Sequence, residues 1–260
     1  MTILEKIIEY KKVDVIKAKT DVPISVLEKQ LNFQRTCYSL KETIKSKNGI
    51  IAEFKRKSPS KGIINDSSLV TDVVLGYEKA GVSGISILTD THFFGGFNKD
   101  LQSVRDEVSI PILRKDFIIL EYQIIEAKAI GADVILLIAA VLDKKTIKKF
   151  TTLAHNLGLQ VLLEVHTQKE LEQYNSNIKL VGINNRNLKT FEVDFENSIK
   201  LSKQLPSDTL KIAESGISDY KNIIKLKQHN FDGFLIGENF MKTENPALAC
   251  EQFINKLKIY

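Results

Sequence analysis

Eight short runs of apolar, often β-branched residues recur from residue 50 onward, roughly 20 to 35 residues apart: "IIAEFK", "GISILTD", "IPILRKDF", "DVILLIAA", "LQVLLEVH", "KLVGINNRN", "LKIAESG" and "GFLIGE". This repeat constrains the fold more than any other feature. Continuous apolar runs suit strands buried on both faces, and parallel strands need a crossover of a dozen or more residues between them. The intervening stretches supply it. "SLVTDVVLGYEKAG", "EYQIIEAKAIGA", "KKTIKKFTTLAHNLG" and "SDYKNIIKLKQHNF" have helical periodicity and mostly finish on Gly or Asn, the residues that end helices in a left-handed conformation. The alternative, an open doubly wound sheet, would place a GxGxxG turn after an early strand, and none is present. Eight βα repeats therefore predict a closed (β/α)8 TIM barrel, and 260 residues suit one barrel-sized domain.

Residues 1–48 read differently. Ile3, Leu4, Ile7 and Ile8 recur at helical spacing, with Val15 and Ile16 continuing the pattern before Pro23. Ser25 with Glu28 and Ser39 with Glu42 each have the spacing of a capping box. The segment is expected to be a helical extension capping the barrel, within one domain spanning 1–260.

A formal net charge of +5 comes from lysines scattered among acids, as in "LEKIIEYKK", so a solvated surface is expected and nucleic-acid binding is not. Cys37 and Cys250 stand alone, and His92, His155, His166 and His229 show no metal-ligand spacing, so no metal is expected. The N-terminus carries charges throughout, unlike a signal peptide, and the longest apolar run, Val134 to Leu142, is too short to span a bilayer. The cytoplasm is the default compartment, with no membrane partner.

Barrel active sites form at the C-terminal ends of the strands. Here those ends carry charge: Glu53 and Lys55 on the first strand, Lys115 and Asp116 on the third, Glu164 and His166 on the fifth, Asn184 and Arg186 on the sixth, Glu214 and Ser215 on the seventh. Any one could be a solvated loop residue; five strands repeating the pattern on one rim suggest convergence, because unpaired buried charge is costly. Parity turns Glu53, Lys55, Lys115 and Glu164 inward with Ile51, Leu113 and Leu162. It turns Asp116 toward the helices, and His166 is expected at the rim in a structural role. "ESGI" and "IGENF" close strands seven and eight, where barrels commonly hold a phosphate on backbone N–H groups. Ser58, Ser60 and Lys61 of the first loop could reach the same anion.

Seven segments in order, "IAEFKRKSPSKG", "ISILTDTHFFGG", "ILRKDFI", "LLEVH", "GINNRNL", "IAESGI" and "IGENFM", resemble the indole-3-glycerol phosphate synthase family from the helical extension to the last strand. The resemblance implies a cofactor-free reaction: 1-(2-carboxyphenylamino)-1-deoxyribulose 5-phosphate closes a ring, loses CO2 and then water, and becomes indole-3-glycerol phosphate. By the family pattern Lys115 is the general acid for ring closure and Glu164 the matching carboxylate. Glu53 would assist proton transfer and hold the lysines. Lys55 would lie close to the substrate carboxylate or phosphate, with the step each lysine serves left open, and Asn184 and Ser215 complete the catalytic group. Arg186 and Glu214 would bind the substrate's carboxylate and hydroxyls. Phe94 would lie on its aromatic ring, with Phe93 the alternative. Ser58, Gly216, Gly237 and Glu238 would bind phosphate, Glu238 through its N–H with the carboxylate turned away. Asn187 stands where many relatives carry Asp. A monomer acting on a phosphorylated small molecule is expected. Two other readings compete: a Schiff-base aldolase using Lys55 or Lys115, and a non-catalytic barrel that binds a phosphorylated metabolite.

Overall fold

The computed structural model describes residues 1–187 and 192–259. Eight parallel strands close into a barrel in sequence order: β1 (Ile50–Phe54), β2 (Gly84–Leu88), β3 (Ile112–Lys115), β4 (Val134–Ile138), β5 (Gln160–Val165), β6 (Leu180–Asn184), β7 (Leu210–Glu214) and β8 (Gly233–Ile236). Each of the eight sequence runs is one of these strands. A small antiparallel hairpin, Lys57–Ser58 with Gly62–Ile63, follows β1.

Alternation along the strands separates two apolar layers. Ile51, Leu113, Leu162, Leu180, Ile212 and Leu235 fill the barrel interior, while Ala52, Phe54, Ile85, Ile87, Ile135 and Val181 face the surrounding helices. The predicted inward parity of Ile51, Leu113 and Leu162 is therefore observed. Helices named from the extension onward are α1 (Ile3–Asp21), α2 (Ile24–Leu27), α3 (Leu40–Ser46), α4 (Val70–Ala80), α5 (Thr91–Phe94), α6 (Asn98–Arg105), α7 (Glu121–Ala129), α8 (Lys144–Asn156), α9 (Gln168–Leu171), α10 (Phe195–Ser202), α11 (Tyr220–Lys227), α12 (Glu238–Met241) and α13 (Pro246–Lys258). Gly81, Gly131, Gly158 and Asn230 follow helices with positive φ, as the Gly and Asn endings predict.

The extension serves both ends of the barrel. Leu40 and Ile44 of α3 are buried in one cluster with the interior residues of the strands and plug the N-terminal mouth. That fit is tight, because a Cβ on Gly84 would come within 2.6 Å of Leu40 Cδ1. α1 lies over the opposite mouth, where Ile3, Leu4 and Ile7 line the central cavity. Between them the chain is pinned to α7: Val15 and Leu27 pack with Tyr122 and Ala129, and the Tyr122 hydroxyl donates to the carbonyls of Ala18 and Val22 at 2.9 Å each. At the N-terminal end of β4, the buried Asp133 carboxylate receives Arg105 and Arg35 at 2.6 Å each and the Tyr38 N–H at 2.7 Å.

Two local expectations differ. Ser39 caps α3 by accepting from the Glu42 N–H at 3.2 Å, as its spacing predicts. Ser25 caps nothing: α2 begins one residue earlier, behind Pro23, whose fixed φ of −60° already suits a helix entry. Ile8 and Ile16 do not join the core either. Ile16 is 62% exposed, because α1 rests on the barrel along a single narrow stripe through Ile7, Lys11 and Val15.

Candidate active site

The strand ends turn an alternating pattern into a converging one. In a closed barrel every inward position of the last layer points at the axis, so residues far apart in sequence meet there. All thirteen candidate residues line one cavity of about 270 Å³ at the C-terminal mouth, a volume suited to a small molecule.

At its centre is Lys115. Its ammonium donates to Glu164 Oε2 at 2.9 Å and to Glu214 Oε2 at 2.5 Å. Beside it Lys55 donates to Glu53 Oε1 at 2.7 Å. Asn184 Nδ2 holds the other Glu164 oxygen at 3.1 Å, and Asn184 Oδ1 accepts the Arg186 N–H at 3.0 Å. Glycines make room for these carboxylates. A Cβ on Gly182 would sit 2.0 Å from Glu214 Oε1, and one on Gly237 2.5 Å from Glu53 Oε1. Ser215 takes a positive φ of 69°, uncommon for a residue with a side chain, and lets the chain turn over the mouth before Gly216.

Burial and mutual charge set the proton states. Burial works against the Lys115 cation, but Glu164, Glu214 and Glu53 outweigh it and hold its pKa above the ordinary lysine value. Glu164 is pushed up by burial and pulled further down by Lys115, His166 and the Lys115 and Asn184 hydrogen bonds, so it stays ionised. Glu214 goes the other way: burial, reinforced by the Glu164 and Glu53 charges, exceeds the pull of Lys115 and raises it above the carboxylate range. A nucleophilic lysine needs a lowered pKa, so the direction at Lys115 counts against the Schiff-base alternative.

Apolar residues flank the charged centre. Phe94 and Phe117 line the cavity with ring centroids 5.9 Å apart, with Leu88, Leu136 and Ile138 nearby. Phe93 instead packs on Tyr10 and His92 at 5.6 and 4.7 Å, which distinguishes the two neighbouring phenylalanines. At the far edge Ser58, Gly216, Gly237 and Glu238 line the cavity with Ser60 and Lys242. The Glu238 carboxylate is not turned away from the rim as expected. It lies 3.6 Å from Arg186 Nη2 and 3.7 Å from Lys61 Nζ, because two cations flank it there.

Several contacts around the site have no signal in the local sequence. Asp116, turned outward as its parity requires, is no solvated loop residue: it accepts from Thr89 at 2.7 Å, contacts Arg114 at 3.1 Å and pairs with Lys11 of α1 at 2.8 Å. Lys11 also reaches Asp90 at 2.7 Å and is buried. Burial opposes its charge, yet the two carboxylates raise its pKa. Ile3, Leu4, Ile7 and Phe117 also line the cavity; the apolar spacing of α1 predicts a cap on the barrel but does not say which mouth it covers. Among the described residues, no group of three or more His, Cys, Asp or Glu is arranged to hold a metal ion, and no helix is long and apolar enough to cross a membrane.

Comparison with known proteins identifies the family. Residues 4–253 match the family model for indole-3-glycerol phosphate synthase. The chain is 47% identical over 257 residues to the indole-3-glycerol phosphate synthase of Bacteroides thetaiotaomicron, covering 98% of this chain and 99% of that one. It is 44% identical to the protein of the same name from Endomicrobium trichonymphae, covering 94% and 96% of the two chains. Among solved structures, the α subunit of tryptophan synthase from Legionella pneumophila superposes with a TM-score of 0.62 at 11% identity, over 85% of this chain and 97% of that one. That likeness concerns the barrel fold alone.

Proposed function

The chain belongs to the indole-3-glycerol phosphate synthase family, and from that premise we propose how its residues perform the family's reaction. The enzyme is a decarboxylating lyase of tryptophan biosynthesis acting on a phosphorylated small molecule. The observation that carries the mechanism is the Lys115 ammonium bonded to two carboxylates at the floor of a cavity walled by Phe94 and Phe117.

In the first step the aromatic carbon bearing the carboxylate attacks the ketone carbon, and Lys115 gives its proton to the ketone oxygen. A doubly clamped ammonium is a weak acid, but the developing alkoxide is a far stronger base than the ketone, so transfer becomes favourable as the bond forms. Loss of CO2 then leaves its bonding electrons in the ring and restores aromaticity in the benzene portion. In the last step the new hydroxyl leaves as water after taking a proton, and a base removes a proton from the ring being formed. Glu164, ionised and facing the same space, is assigned the base; Lys55, bonded to Glu53, supports the second acid step. Asn184 and Ser215 orient the reacting groups, and Arg186 and Glu214 bind the substrate's carboxylate and hydroxyls.

Ser58 and the N–H groups of Gly216, Gly237 and Glu238 are assigned to the phosphate, with Lys61 and Lys242 supplying positive charge. Glu238 opposes an anion there unless Arg186 and Lys61 keep its carboxylate neutralised, which their 3.6 and 3.7 Å contacts support. Proton transfers and decarboxylation of this kind need no cofactor or metal when an ammonium polarises the ketone. The proposal also includes a single domain over 1–260, a monomer, and a cytoplasmic location; closure of the eight barrel strands leaves that sheet without an edge strand to pair with another chain.

The test is the fluorescence rise of indole-3-glycerol phosphate when purified protein meets the carboxyphenylamino substrate in the presence of EDTA. Turnover supports the mechanism. Absence of turnover with EDTA, restored by a divalent cation, would overturn its metal-free part; absence under both conditions would overturn the substrate assignment.

A further inference from the structure

Behind Glu164, outside the residues that line the cavity, lies His166. Its side chain is 8% exposed, and its Nε2 is buried without an aligned hydrogen-bond partner, 3.3 Å from Glu164 Oε1. The opposite ring nitrogen, Nδ1, faces Glu170 Oε2 at 3.3 Å. Glu170 is itself fixed: the same oxygen accepts the His166 N–H at 2.7 Å, and the Glu170 N–H is capped by Thr167 Oγ1 at 3.3 Å. On the far side Asn197 Nδ2 donates to the His166 carbonyl at 3.2 Å. The turn after β5 is thus held by backbone groups of His166 and by neighbouring side chains. Nothing in it requires an imidazole.

We propose that His166, oriented by Glu170, is a positioning residue for Glu164. The His166 ring faces the Glu164 oxygen that Asn184 also holds, leaving Oε2 directed at Lys115. Glu164 is then contacted by cations or donors on every side: Lys115 from β3, Asn184 from β6 and His166 from the end of its own strand. Glu170 on α9 and Glu214 on β7 face His166 as well. Burial opposes the imidazolium, and the Glu170 hydrogen bond with the Glu164, Glu170 and Glu214 charges outweighs it and raises the His166 pKa above the ordinary histidine value. A second cation beside Glu164 compensates its charge and keeps it a base while the proton on Lys115 is committed to the ketone. The inference rests on the assignment of Glu164 as that base.

The experiment measures kcat and KM across pH for His166→Gln, Glu170→Gln, Glu164→Gln and the double variant Glu164→Gln with His166→Gln. His166→Gln is expected to lower kcat about tenfold, the equivalent of one pKa unit of interaction, with KM changed less than about twofold. The acid limb of its kcat profile should move to higher pH, because Glu164 without its neighbouring cation takes up a proton more readily. Glu170→Gln should shift the limb the same way by a smaller amount, and it serves as the readout if His166→Gln does not fold. In the Glu164→Gln background, the His166 change should have no further effect, since its action passes through the missing carboxylate. Unchanged kcat and acid limb in the single variants, or losses that multiply in the double variant, would overturn the positioning role. Near-normal turnover in Glu164→Gln alone would overturn the assignment beneath it, and is distinguishable because it needs no change at His166.

Discussion

Glu164 and Glu214 share one ammonium, and the residue-scale consequence is that they cannot behave alike. Lys115→Ala and Glu164→Gln are each expected to lower turnover by about 10²-fold or more, the usual loss of a positioned acid or base, with unchanged far-UV circular dichroism. Turnover near the parent rate in both would sink the assigned roles. Glu214 makes a different prediction. Its pKa is raised in the folded protein, so folding favours its protonated form, and the native state loses stability as pH climbs from the ordinary carboxylate range through the raised value. Glu214→Gln does not titrate and should gain on the wild type with rising pH, by roughly 1–3 kcal/mol over the whole transition. Thermal melts at a series of pH values would check this; a constant difference between the two proteins would refute it. Individual strand-end charges were readable from period-two alternation, including the outward turn of Asp116. Its partners were not, because Thr89, Arg114 and Lys11 come from three separate segments.

At the scale of elements, α1 is held over the site by a buried clasp in place of a broad apolar face. Lys11 bridges Asp90 after β2 and Asp116 after β3, while the Ile3, Leu4 and Ile7 side chains roof the cavity. Removing one partner of a buried ion pair costs about 3–5 kcal/mol, chiefly because the charge left behind is uncompensated. Lys11→Ala is therefore expected to release α1 locally. Amide exchange should accelerate in α1 and stay slow in the barrel strands, and KM should rise. Equal protection of α1 in variant and wild type would count against the clasp. Helix ends were legible where Gly or Asn supplied a left-handed residue. The Ser25 start was not, since a four-residue helix entered from Pro23 has no use for a side-chain cap.

For the whole molecule, the extension is both a roof and a floor, and these duties separate. A chain lacking residues 1–22 keeps the α3 plug and is expected to fold with weakened substrate affinity. One lacking 1–48 exposes the interior layer that Leu40 and Ile44 cover, and should lose its cooperative urea transition. If both truncations melt like the full chain, the two-ended role is wrong. Sequence by itself determined the barrel, its eight strands and the inward charges Glu53, Lys55, Lys115 and Glu164 at the strand ends, because strand parity and repeat spacing are local properties that closure only has to sum; Phe94 and the phosphate positions rested on the family resemblance. Tertiary structure decided the rest: which mouth each extension helix covers, which phenylalanine faces the cavity, where Glu238 points, and which carboxylate has its pKa raised. Those outcomes depend on distances between segments far apart in the chain, and on burial and charge fields that no single segment contains.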